Sequence, residues 1–311
     1  MLRSILQRTL MLIPVLIGIT VLGFLLLQVV PGDPVERAMG TRATAEEMDA
    51  MREQWGLNEP IWQQYLFFLR DCLTGSFGIS LFHKLPVSTL VMERLPFTLA
   101  IVIYSTALAL LIAMPFAVLA ALRKNGPVDL AIRQLFVFIL ALPPFWLCFV
   151  FILWLSLGLG LFPTGGIGDG FGQNLQRLFL PSLVVGLSTA ALVQQSLRAT
   201  LIETMSADYV DTARAKGLAR SQVFVRHVLR NSLISTISIV GVRIGWIIGS
   251  TVVVEKIFSI PGLGSLLIDA IVSRDFPVIR GLTVIFAMLV VTVNLLTDIA
   301  YSIADPRVTL D

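Results

Sequence analysis

The chain has 311 residues, of which 56% are hydrophobic and only 14% charged, and its mean hydropathy is +0.86. Soluble domains carry about 25% charged residues, and no soluble core encloses this much apolar side chain, so the composition excludes an ordinary water-soluble enzyme. The net charge of +3 does not indicate nucleic acid, because the basic residues fall in short segments between apolar runs, where membrane orientation accounts for them.

The first apolar run, 10–30, follows Arg3 and Arg8 and ends at Pro31-Gly32-Asp33-Pro34. It is too long for a signal peptide and lacks an A-x-A cleavage site, so an uncleaved first span is expected. Segment 31–96 is too long for a tight connector. Its Trp62, Tyr65, Leu66, Phe68 and Leu69 predict an amphipathic helix within a small helical cap, packed on the outer ends of neighbouring spans. Further spans are predicted over 97–122, 134–157, 179–197, 233–254 and 282–303. At about 1.5 Å per residue each can cross a hydrocarbon core of about 30 Å.

The fold class is therefore an all-α integral membrane protein with six spans and both termini on one face. Arg123, Lys124 and Arg133 lie between spans 2 and 3, and Arg198, Arg214, Lys216, Arg220, Arg226 and Arg230 between spans 4 and 5. These segments and the amino terminus are expected in the cytoplasm.

No catalytic constellation emerges. His83 and His227 fall on opposite sides of the membrane, neither HExxH nor GxSxG occurs, and Cys72 and Cys148 form no disulfide framework or CxxC metal site. The sequence also lacks GxxxxGK[ST], whose amides and lysine hold nucleotide phosphates. Neither a metal nor a nucleotide of its own is expected.

The informative segment is 198–232. Ser206 is suited to an N-cap, Asp208 to a first helical turn, Arg214 and Lys216 to a last turn, and Gly217 to a left-handed stop. Ser221 then starts a second helix carrying Val223, Phe224, Val228 and Leu229. Such an elbow is a shape for docking into a groove on another protein. An ordinary basic interfacial loop is the competing reading.

In span 5, Gly241, Gly245 and Gly249 repeat every four residues and predict a close helix contact. Arg243 lies about 200° around the helix from that face. It either lines a water-filled pathway or pairs with a neighbouring chain. Asn294 in span 6 is the second pathway candidate, a hydrogen bond across helices being the other reading. Segment 255–280 turns at Pro261-Gly262-Leu263-Gly264 and predicts a re-entrant or interfacial element.

Asp211-Thr212-Ala213 followed three residues later by Gly217 resembles the EAA loop of binding-protein-dependent ABC importer permeases. The wording over 208–218 and 227–231 is similar to the dipeptide, oligopeptide, glutathione and nickel branch. Pro31-Gly32-Asp33-Pro34, Val254-Glu255-Lys256-Ile257-Phe258, Pro261-Gly262-Leu263-Gly264, Arg274-Asp275-Phe276-Pro277 and Asp305-Pro306-Arg307 carry the resemblance along the chain. Ser235 departs from it, since the branch has proline there, and a less kinked start of span 5 follows.

The resemblance implies a type I ABC importer permease fold of six spans in the bacterial inner membrane. It divides the chain into span 1 (1–30), an extracytoplasmic cap (31–96), spans 2–4 (97–197), a coupling loop (198–232) and spans 5–6 (233–311). It implies that Ala207, Asp208, Tyr209, Asp211, Thr212, Ala213, Arg214, Ala215, Lys216 and Gly217 meet an ATP-binding subunit. Glu255, Pro261, Gly262 and Gly264 would lie at the outer mouth near a docked binding protein. The implied partners are a second homologous permease, two ATP-binding subunits holding ATP and Mg, an extracytoplasmic substrate-binding protein and membrane lipid. Peptide is the expected solute, with glutathione, nickel or a metal chelate as alternatives. An ion-gradient transporter or a scaffold without transport are the readings from other classes.

Overall fold

The computed structural model describes residues 44–54 and 56–304, together with positions 14, 17, 18, 20, 21, 23–25 and 35. Most of the first predicted span, the Pro31–Pro34 motif and the closing Asp305-Pro306-Arg307 lie outside the described residues. Those described are helical apart from turns and one isolated bridge between Ile79 and Pro86.

In chain order the helices are α1 (Ala45–Gln54), α2 (Ile61–Thr74), α3 (Val87–Leu122), α4 (Pro127–Ala141), α5 (Pro144–Phe151), α6 (Phe171–Met205), α7 (Asp208–Ala215), α8 (Arg220–Val223), α9 (Arg230–Ile257), α10 (Leu263–Ser273) and α11 (Phe276–Ala304). π-Helical turns extend α5 over Ile152–Gly158 and join α8 to α9 over Phe224–Leu229. Among the described residues four stretches are long and apolar enough to cross a membrane: Val87–Leu122, Phe171–Met205, Arg220–Ile257 and Phe276–Ala300. The pair α4 and α5 makes a fifth if its two halves count as one span.

That pair corrects the straight span predicted over 134–157. α4 and the α5 segment meet at 99°, at Leu142-Pro143-Pro144. Neither proline has an amide hydrogen to give, and Pro143 pushes Leu142 out of the helical region to φ −80°, ψ 129°. The proline expected but absent at position 235 leaves α9 helical through that position, and the irregularity falls earlier, in the π-helical turn.

The fold resolves into two compact units. One comprises Phe97–Ser265 with Thr292–Asp311, and the other Leu2–Pro96 with Leu266–Val291. In the first unit α6 packs along α9, α4 and α5. Its residues Val184, Ala190, Ala191, Val193, Leu197 and Leu201 are almost wholly buried. A Cβ on Gly186 would stand 2.8 Å from the Ser105 carbonyl oxygen, so α6 and α3 touch there through backbone. Across α4 and α6, Asp129 receives Arg198 Nε at 2.6 Å and Nη2 at 2.5 Å, and accepts the Asn125 amide at 2.9 Å. The Asp129 side chain is 1% exposed and that of Arg198 15%.

In the second unit Phe68 of α2 packs with Phe24 and Val284, and Arg280 of α11 stands 5.5 Å over the Phe68 ring. Asp275, immediately before α11, is 2% exposed. It accepts the Ser80 hydroxyl and the amides of Leu81 and Phe82, both at 3.1 Å, fastening the 80–82 turn to the start of that helix.

Candidate coupling site

The elbow after α6 begins differently from its predicted form. Ser206 does not cap α7. Its hydroxyl donates to the Glu203 carbonyl at 2.8 Å and to Ile202 at 3.3 Å, closing the end of α6, while Ala207 takes the N-cap position with no side-chain bond. The carbonyls at the end of a long helix attract the hydroxyl more than the amides of the next turn. Asp208 and Asp211 sit in the first turn of α7 and Arg214 in its last, as the helix dipole favours. Gly217 stops the helix at φ +81°, a conformation with little cost only for glycine. The next helix starts at Arg220, one residue before the expected Ser221.

α7 is fixed on one face and bare on the other. Val210 (0% exposed) and Ala213 (6%) are three residues apart and therefore on one side of the helix. They pack with Ala117 and Ala121 of α3, Leu197 and Leu201 of α6, and Val223 and Val228 beyond them. Asp208, Tyr209, Asp211, Thr212, Arg214, Ala215, Lys216 and Gly217 are exposed. Asn231 Nδ2 donates to the Tyr209 hydroxyl at 3.0 Å, tying α7 to the first turn of α9. The Asp211–Arg214 pair, 2.9 Å apart and largely exposed, adds little to stability. An open groove of ≈ 740 Å³ on the second limb of the elbow is lined by Leu218, Ser221, Gln222, Val225, Arg226 and His227. α7 is thus packed on α3 and α6 and bonded to the first turn of α9.

Two glycines of the α9 repeat differ in what they meet. A Cβ on Gly241 would fall 1.7 Å from Thr297 Cγ2 of α11, whereas Gly249 has open space around it. Gly241→Leu is thus expected to separate α9 from α11 and lower the thermal unfolding temperature of the purified protein, with Gly249→Leu close to neutral in the same measurement.

Arg243 lies off this contact. It is half-buried, its Nε has no hydrogen-bond partner among the described residues, and its guanidinium stands 5.5 Å from the ring centroid of the exposed Trp246. A cleft of ≈ 560 Å³ between α3, α9 and α11 has an almost wholly apolar wall that includes Gly241 and Thr297 but not Arg243. Asn294 is exposed on α11.

The outer-mouth candidates form an internal knot. Glu255 is 0% exposed. Its carboxylate accepts the Thr98 hydroxyl at 2.7 Å and the amides of Gly264 at 2.8 Å and Ser265 at 3.1 Å. Thr98 Oγ1 in turn accepts the Leu263 amide at 2.8 Å. The carboxylate caps the amino terminus of α10, where dipole and free amides favour a negative charge. A Cβ on Gly262 would lie 2.3 Å from Glu255 Cδ, and one on Gly264 2.4 Å from Val252 Cα. Of the four, only Pro261 reaches the surface, and that partly.

These features are matched by known proteins. Residues 113–310 fit the family described as binding-protein-dependent transport system inner membrane component, and 1–102 fit its amino-terminal companion. The chain is 42% identical over 310 residues to the oligopeptide transport system permease protein AppB of Bacillus subtilis (strain 168), covering 98% of each. The chain belongs to this permease family.

The permease is also 34% identical over 308 residues to the glutathione transport system permease protein GsiC of Escherichia coli (strain K12), covering 99% of each. In fold it is similar to a chain of the inward-facing MetNI methionine ABC transporter, at TM-score 0.59 and 15% identity, over 70% of this permease and 96% of that chain. The type I importer permease fold accounts for the helices described.

Sequence reading missed two features of this permease. The Asp129–Arg198 pair joins residues 69 positions apart, and Arg198 was legible only as one more basic residue near a span end. Thr98 carries no signal at all, since its role depends on Glu255 arriving 157 positions later.

Proposed function

We propose that this permease forms one half of the translocation pathway of an ATP-driven peptide importer, and that α7 with Gly217 seats in a groove of an ATP-binding subunit. The observation that carries the coupling role is the division of α7 into a face clamped on α3 and α6 by Val210 and Ala213 and a bare face of eight exposed positions ending at Gly217. A helix so held moves the spans as a body when it is pushed. The solute class follows the AppB relative, an oligopeptide transport system permease; the GsiC relative keeps glutathione as the second reading. A second homologous permease, two ATP-binding subunits and an extracytoplasmic binding protein complete the machine, with both termini of this chain in the cytoplasm. Energy comes from ATP and Mg on the partner chains. Identification of the ligand retained by the cognate binding protein, by mass spectrometry, decides between peptide and glutathione.

Ala215 is exposed and touches no part of the clamped face, so Ala215→Trp leaves the permease folded but obstructs docking. The expected result is loss of binding-protein-stimulated ATPase and of uptake in proteoliposomes, with the unfolding temperature of the isolated permease unchanged. Full stimulation in this variant would rule out docking through α7.

We also propose that Arg243 lines the pathway, where its Nε, without a hydrogen-bond partner among the described residues, can meet a solute carboxylate. Arg243→Gln should reduce uptake while the complex still assembles on size exclusion. Failure to assemble would instead make Arg243 a contact between subunits.

A further inference from the structure

We infer that α2 is a membrane-surface anchor, with Trp62, Leu66, Leu69 and Leu73 embedded in the interfacial layer of one leaflet. α2 presents two adjacent apolar stripes. Tyr65, Phe68 and Cys72 form the inner one, packed on Phe24 and Val284. Trp62, Leu66, Leu69 and Leu73 recur at helical spacing and form the outer one, about 90° around. Trp62 is 61% exposed, Leu66 53% and Leu73 89%, an apolar strip that water does not favour. Arg70, Asp71 and Thr74 occupy the polar side. The α2 chain ends at Gly75 in the left-handed conformation, whose amide bonds back to Asp71 and stops the helix cleanly.

The depth of α2 identifies what covers the outer stripe. Its inner face rests on Arg280 and Val284, which lie about 6 and 12 Å along α11 from Phe276. Between Arg280 and Asp298 of α11 lie 17 uncharged residues, about 26 Å and close to the hydrocarbon core of about 30 Å, which puts Arg280 at the edge of that core. α11 thus places α2 at the edge of the hydrocarbon. A tryptophan-bearing apolar stripe flanked by arginine at that level is the composition of a helix lying in the interface. The occupant is the lipid surface itself, and the anchor would hold the start of α11 at a fixed depth. The inference rests on the membrane fold and not on the solute.

The test uses the assembled importer in lipid nanodiscs, with Cys72→Ser and Cys148→Ala and a single environment-sensitive fluorophore at Leu66→Cys, Leu73→Cys or Thr74→Cys. Lipids carrying a spin label near the headgroup should quench the probes at 66 and 73, and aqueous iodide should not; at 74 the order should reverse. Iodide quenching at 66 and 73 matching that at 74, or protection from both quenchers, would overturn the proposal. In parallel, the unaltered complex is irradiated in membranes containing diazirine-bearing phosphatidylcholine. Adducts mapped by mass spectrometry to 61–74 are expected. Adducts on the spans with none on this segment would equally overturn it.

Discussion

Asp129→Ala should unfold this permease at a markedly lower temperature, because it leaves Arg198 with its charge and without its partner. The pair is fully formed, with two parallel bonds between the guanidinium and a carboxylate that is 1% exposed, and the Asn125 amide takes a third contact. Breaking a buried pair by removing one member costs about 3–5 kcal/mol, whereas replacing both members by apolar groups of similar volume is often neutral. The double variant Asp129→Leu with Arg198→Met should therefore recover most of what Asp129→Ala loses. Thermal unfolding in detergent, followed by loss of monodisperse protein, measures both. Equal destabilisation of single and double variants would mean that the pair is needed as a pair. Asn125, held at φ +62° beside Asp129, is the residue through which such a requirement would act.

The second large effect is expected at Glu255. Glu255→Ala removes the acceptor for two amides and one hydroxyl in a region without exposure, and each orphaned buried donor costs about 1–3 kcal/mol. Glu255→Gln should be milder, since one amide oxygen still accepts from Gly264 and Ser265 while the Thr98 hydroxyl loses its acceptor. Gly262→Ala attacks the same knot sterically, with a methyl group at 2.3 Å from Glu255 Cδ, and should be as damaging as Glu255→Ala. Because the knot joins the end of α9 to the start of α10, its loss should also reduce uptake in variants that still assemble. The order Ala worse than Gln, read in unfolding temperature, distinguishes capping from any need for the negative charge alone.

The helical membrane character of this chain and the elbow at 207–217 were legible because they rest on local properties: apolar run length, dipole-matched charges and a glycine at a forced φ. Gly217 needed no tertiary information. Ser206 misled, since two helix termini meet there and sequence gives no rule for which one wins its hydroxyl. The 99° break at Pro143-Pro144 was written in the two prolines, but the unbroken apolar run around them masked it. Glu255 shows the sharper limit. Its position beside a turn reads as exposed, and only the arrival of Thr98 and the amides of α10 makes a buried carboxylate tolerable. The glycine repeat of α9 likewise offered equal positions, and Gly241 differs from Gly249 because Thr297 happens to face it.

The coupling role of α7 is tested most directly by proximity in the assembled importer. With Cys72 and Cys148 replaced and Thr212→Cys introduced on the bare face of α7, a short bifunctional cross-linker should join the permease to an ATP-binding subunit, with a yield that changes between nucleotide-free and ATP-bound complex. A cysteine at 212 that reacts fully with a soluble maleimide in the intact complex, and forms no cross-link in either nucleotide state, would contradict it.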